Sequence, residues 1–160
     1  MQRPQCRRRR NQNGMTLVEV IVAFTIMLIL TSMSVPMARY KVRVEHEREL
    51  RYGLRKMREA IDKYKDLCDQ GYFGQMNPEA RCYPETLDIL VEGVKTNTPD
   101  GKKVKLLREI PRDPFTHNTD WGLRNDQDEP NASAWGGGNV FDVYSKTTEK
   151  ARDGTSYSDW

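Results

Sequence analysis

At 160 residues, with 26 Lys and Arg against 23 Asp and Glu for a net charge of +3, the chain has room for one modest domain and an appendage. Five of the basic residues, Arg3, Arg7, Arg8, Arg9 and Arg10, fall in residues 1–14 with no acid among them. Setting these five aside leaves 21 basic against 23 acidic residues, a charge of −2, which argues against a general phosphate-neutralising surface on the remainder.

The apolar residues are concentrated between Met15 and Met37, so the rest of the chain must form a small core. From Val20 to Ala38 there are 19 residues without a charge. As a helix, such a run covers ~29 Å, close to the hydrocarbon thickness of a bilayer. Residues 15–38 therefore read as a transmembrane helix. The arginine cluster before it holds the N-terminal flank in the cytoplasm, a reading preferred over a nucleic-acid arm. A cleaved secretory signal, with an apolar region of ~7 to 15 residues and a small-x-small site after it, fits poorly. A plain signal anchor gives no reason for Gly14 or for the acid Glu19 just inside the apolar stretch.

Pro36 removes a backbone donor near the far end of the span, and a kink or local opening is expected there. Beyond Arg39, the positions Leu50, Leu54, Met57, Ile61, Tyr64 and Cys68 recur at steps of four and three, one face of an amphipathic helix. The charged residues around them form a solvated face with pairs such as Glu59 to Lys63. Met15 to about Cys68 makes a helix of 54 residues, ~80 Å long. Only its second half finds a core within its own chain; the first half needs lipid or another helix.

Asp69 to Arg81, with Gly71, Gly74 and Pro78, reads as a loop. Cys68 and Cys82 bracket it, and across a membrane, in an oxidising compartment, they read as one disulfide closing a 15-residue loop. The alternative is two free thiols. Cys6 lies in the basic tip. Pro84 to Glu92 suggests a short second helix stopped by Gly93. Val104 to Ile110, Trp121 to Arg124 and Val140 to Ser145 are candidate strands, giving an α+β fold with a small antiparallel sheet of about three strands. Phe141 and Val143 are expected to face the helix, with Asp142 and Tyr144 facing out or supporting a loop.

No catalytic constellation emerges. His46 and His117 read as surface histidines, since neither is paired with a nucleophile or third ligand at a recognisable spacing. Gly136-Gly137-Gly138 lacks the Lys-Ser or Lys-Thr of a nucleotide loop and reads as a turn. Trp121, Trp135, Tyr144, Tyr157 and Trp160 are explained by the needs of a small core. Between Ser145 and Trp160, Glu149, Asp153, Ser156, Ser158 and Asp159 gather oxygen donors of the kind calcium uses. Lys146, Lys150 and Arg152 offer the other reading, pairing with those acids.

Gly14-Met15-Thr16-Leu17-Val18-Glu19, behind a basic leader and before a long apolar helix, resembles the class III signal of type IV pilin-like proteins. The resemblance implies that a prepilin peptidase removes residues 1–14 by cutting after Gly14 and methylates the new amine of Met15, which stands where the family more usually has phenylalanine. Pro36 matches the proline of the family's helix. Ile110-Pro111-Arg112-Asp113-Pro114-Phe115, Asp120-Trp121-Gly122, Phe141-Asp142-Val143-Tyr144-Ser145 and Asp153-Gly154-Thr155-Ser156-Tyr157-Ser158-Asp159-Trp160 resemble the major, G-type pseudopilin of type II secretion. This implies the type IV pilin-like fold, a long N-terminal helix packed on a small antiparallel sheet, with residues 39–160 as a periplasmic domain.

It further implies a non-enzymatic subunit held in the bacterial inner membrane, N-terminus in the cytoplasm, then polymerised with other copies and minor pseudopilins by an inner-membrane assembly platform. Glu19 and Pro36 are the implied assembly residues, Glu19 neutralising the amine of a neighbour. The group's C-terminal loop commonly binds calcium. Here Ser145-Lys146-Thr147-Thr148-Glu149 replaces the usual Gly-Ala-Asp-Gly, and Asp153 and Asp159 remain as candidate ligands. The rival readings are a type IV pilus or minor pilin subunit acting in adhesion or DNA uptake, and a membrane-anchored periplasmic enzyme.

Overall fold

In the computed structural model the described residues are 15–74 and 77–160, without the side chains of residues 33–36 and 38. The expectations for the leader 1–14, with Cys6 and Gly14, and for the ring of Pro36 lie outside them. A single helix, α1 (Leu17–Asp69), runs for 53 residues and contributes to two compact units, Met1–Val42 and Arg43–Trp160.

In the first unit every described side chain from Met15 to Ser32 is exposed, including Leu17 at 76% and Leu28 at 69%. Among the described residues, no helix is long and apolar enough to cross a membrane. The uncharged stretch whose side chains are described, Val20–Ser32, is 13 residues. That is ~20 Å of helix, short of the ~30 Å of a hydrocarbon core. The transmembrane expectation for 15–38 rests on the longer run in the sequence.

In the second unit, α1 buries Leu50, Leu54, Met57, Ala60, Ile61, Tyr64 and Cys68, the face set by the four-three spacing. Each such aliphatic side chain contributes ~1.5 to 3 kcal/mol by leaving water. The helix ends in a Schellman turn: Gly71, at φ 75°, donates to Cys68 O at 2.8 Å, and Tyr72 N donates to Leu67 O at 3.0 Å. Glycine suits this left-handed position because it carries no Cβ. Cys68 and Cys82 are joined by a disulfide across the loop that follows.

The second helix, α2 (Leu87–Glu92), is shorter than the expected 84–92, because Pro84 is engaged elsewhere: its carbonyl accepts from Val140 N at 2.8 Å. Leu87 and Leu90 are its buried residues. The sheet also differs from expectation. Instead of one sheet of about three strands there are two antiparallel pairs, β1 (Val94–Lys95) with β2 (Lys103–Val104), and β3 (Gly122–Arg124) with β4 (Asp142–Tyr144). The expected strand over 104–110 is mostly irregular chain. Leu106 N and Leu107 N both donate to Leu90 O, at 3.0 and 2.9 Å. The backbone thus closes the end of α2, and these donors are not free to join a ladder.

Register partners in the second pair are Gly122 with Tyr144, Leu123 with Val143 and Arg124 with Asp142. Val143 is fully buried as expected, whereas Phe141 is 47% exposed and meets Tyr83 edge-on at 5.3 Å. Tyr144 is buried rather than facing out, and its hydroxyl donates to Ser133 O at 2.9 Å, supporting the 125–139 loop. Its ring lies where Gly122 leaves room: a Cβ there would come within 2.2 Å of the ring.

Candidate assembly site

Thr16 sets the start of α1. Its hydroxyl accepts from Glu19 N at 3.3 Å, and its carbonyl accepts from Val20 N, the pattern of an N-cap residue serving the third helical position. Thr16-Leu17-Val18-Glu19 is a capping-box sequence, a signal legible in the chain. The carboxylate also sits in the first turn, where the helix dipole favours negative charge. Met15 lies just outside the helix.

From Val20 to Ser32 the exposed surface of α1 is apolar, and its few polar side chains are turned inward on the helix. Thr25 donates to Ile21 O at 2.7 Å, Thr31 to Met27 O, and Ser32 to Ile29 O at 2.8 Å. With these hydroxyls satisfied, the helix offers its surroundings aliphatic and aromatic side chains and one acid. Such a surface suits lipid or other apolar helices, and it has no chemistry beyond association.

In the second unit the C-terminal segment is held on α1 by arginines. Arg58 grips Asp142 with two nitrogens, at 2.6 and 3.2 Å, and also donates to Val143 O at 3.2 Å and Trp160 O at 2.7 Å. Arg124, buried, donates to Ala132 O and Ser158 O and stacks on Tyr144 at 4.2 Å. Arg43 donates to Tyr157 Oη at 3.4 Å and to Lys150 O, and Tyr157 Oη donates to Glu47 at 2.9 Å. The bond to Tyr157 raises the Arg43 pKa, and burial is the main cause of the raised Tyr157 pKa.

Asp153 and Asp159, the candidate calcium ligands, lie in the C-terminal segment and accept hydrogen bonds from their neighbours. The Asp153 carboxylate accepts from Thr155 Oγ1 at 2.6 Å and Thr155 N at 3.0 Å, bonds that hold its pKa below the usual carboxylate value, with the Thr155 hydroxyl the larger cause. Asp159 accepts from Ser158 at 3.2 Å, and Glu149 lies 3.9 Å from Arg43. Among the described residues, no three or more His, Cys, Asp or Glu side chains are grouped to hold a metal ion.

His46 and His117, expected as isolated surface residues, lie edge to face with ring centroids 6.3 Å apart, and His46 also meets Phe115 at 5.7 Å. They are distant in sequence, and no local spacing signals the meeting. The triple glycine is a turn as expected. Gly136 N donates to Asp128 at 3.2 Å, and Asn125 Nδ2 donates to Gly137 O at 3.1 Å.

Residues 9–35 match the family model of the prokaryotic N-terminal methylation motif. The match covers Met15, Thr16 and Glu19, where α1 begins, and supports a type IV pilin-like protein with a prepilin-type signal. Such a signal implies processing by prepilin peptidase and polymerisation with other pilin subunits. No curated protein and no solved structure matches the chain.

Proposed function

We propose that the chain is a structural subunit of a type II secretion pseudopilus, working by polymerisation and not by catalysis. The observation that carries this reading is the methylation motif over residues 9–35 leading into a helix whose described side chains from Leu17 to Ser32 are all exposed. An apolar helix that buries nothing within its own unit must find another environment. The uncharged run from Val20 to Ala38 makes that environment the inner membrane first and the helices of neighbouring subunits afterwards.

Peptidase cleavage between Gly14 and Met15 creates an amine four residues before Glu19. In a bundle of helices, Glu19 of one copy neutralises that amine on another. A buried pair of this kind contributes little net stability, but removing one partner strands a charge at a cost of ~3 to 5 kcal/mol, so its use is in setting register. The domain from residue 39 onward faces the periplasm, where the disulfide between Cys68 and Cys82 persists.

Co-expression with a prepilin peptidase, followed by N-terminal sequencing and electron microscopy, tests the reading. A mature chain starting at methylated Met15 and forming homopolymers is the expected result. A chain left uncut, cut elsewhere, or cut without forming filaments overturns it.

A further inference from the structure

The second unit carries two charged faces open to solvent. On α1, Arg51 and Arg55 are exposed and one helical turn apart. Arg51 lies over the Trp160 ring at 4.2 Å, and Arg55 has no hydrogen-bond or ion-pair partner among the described residues. Together with Arg58 and Trp160 they line an open cleft of about 500 Å³, which Glu59 and Asp62 continue one turn further along α1. On α2, Asp88 and Glu92 are likewise exposed, one turn apart and unpaired among the described residues.

The two faces match in sign and pitch. Residues four apart on a helix are separated by ~6 Å along its axis, so two carboxylates on one helix can meet two guanidinium groups on another in register. Arginine beside a half-buried aromatic ring is the composition of an interface, and planar guanidinium suits carboxylate. Glu59 and Asp62 add selectivity, because sliding the acidic helix one turn along the cleft would set like charges together.

We infer that the Arg51 and Arg55 face of one copy takes up the Asp88 and Glu92 face of α2 on the next copy. The surfaces differ, so the contact is head-to-tail and adds subunits without closing a pair. This inference rests on the polymerising function proposed above and gives that polymer a contact between globular units.

The test uses the full chain co-expressed with prepilin peptidase, comparing three variants with the parent: Arg51→Glu with Arg55→Glu, Asp88→Arg with Glu92→Arg, and all four together. Each two-residue variant should lose roughly tenfold in sedimentable filaments, as attraction becomes repulsion at every step, while the fourfold variant recovers them. Parent filaments should also shorten as salt rises. Two-residue variants that polymerise like the parent, or a fourfold variant that stays defective, overturn this inference and leave the pseudopilin reading standing. A parent that is cut but never polymerises overturns both.

Discussion

Ser145, just after β4, donates its hydroxyl to the carboxylate of Asp113, and both side chains are buried. Asp113 also accepts from Phe115 N at 2.8 Å and Thr116 N at 3.4 Å, so one carboxylate shapes the turn after Pro111 and ties it to the strand. Asp113→Ala leaves three donors short of an acceptor. We expect a loss of about 3 kcal/mol, or roughly 10 °C in Tm, read by thermal melts of the detergent-purified chain. A loss within ~0.5 kcal/mol would show that water replaces the carboxylate.

Two glycine substitutions should act in opposite directions. Gly122→Ala drives a methyl into the Tyr144 ring and should cost ~1 to 3 kcal/mol. Gly53 lies inside α1, and a Cβ there would sit 3.5 Å from Pro111 Cβ and 3.8 Å from the Trp121 ring, ordinary contacts. Gly53→Ala should therefore stabilise by up to ~1 kcal/mol through helix propensity. Denaturant titrations of the two variants decide the matter, and equal signs would contradict the packing described.

The disulfide between Cys68 and Cys82, 14 positions apart, closes the loop after α1. Replacing both cysteines by serine should lower stability by ~3 kcal/mol, the loop-closure entropy returned to the unfolded chain. A reductant should shift the Tm of the parent by a similar amount and leave the serine variant unmoved.

Asp126 accepts from Asn139 Nδ2 at 2.9 Å and Arg81 at 2.8 Å, and the bond from Asn139 is the leading cause of its lowered pKa. A carboxyl whose folded pKa lies below its unfolded value of ~3.9 binds protons more readily when unfolded. Its stabilisation is complete above the unfolded value and disappears as pH falls through the folded one. Asp126→Asn should be less stable than the parent at neutral pH, with the gap narrowing below pH ~4. A gap independent of pH would assign the effect to packing.

Under the proposed pseudopilin function, Glu19→Val should leave membrane insertion intact, because the change only lengthens the apolar surface, while abolishing or misaligning filaments. Membrane fractionation and electron microscopy separate the two effects. Normal filaments from this variant would remove Glu19 from assembly.

The buried face of α1 was legible because six apolar residues repeat at helical spacing, and the cysteine pair because it brackets a loop of turn residues. The sheet was less so. The run 104–110 has strand composition, but the amides of Leu106 and Leu107 are claimed by Leu90 O, a partner fixed only once α2 is in place. The grip of Arg58 on Asp142 and the meeting of His46 with His117 join residues distant in sequence, and no spacing rule reaches across such separations. At the assembly site the motif is plain in the sequence, and the capping box Thr16-Leu17-Val18-Glu19 is written within it.

That threonine has a consequence for the protease. A peptidase needs extended backbone across the bond it cuts, and a helix free to wind upstream would hide it. By spending its hydroxyl on Glu19 N, Thr16 fixes the first helical residue at Leu17 and leaves Met15 outside the coil. Under the proposed processing, the cap acts as a boundary marker: Met15, the new terminus, stands before the coil that another helix takes up.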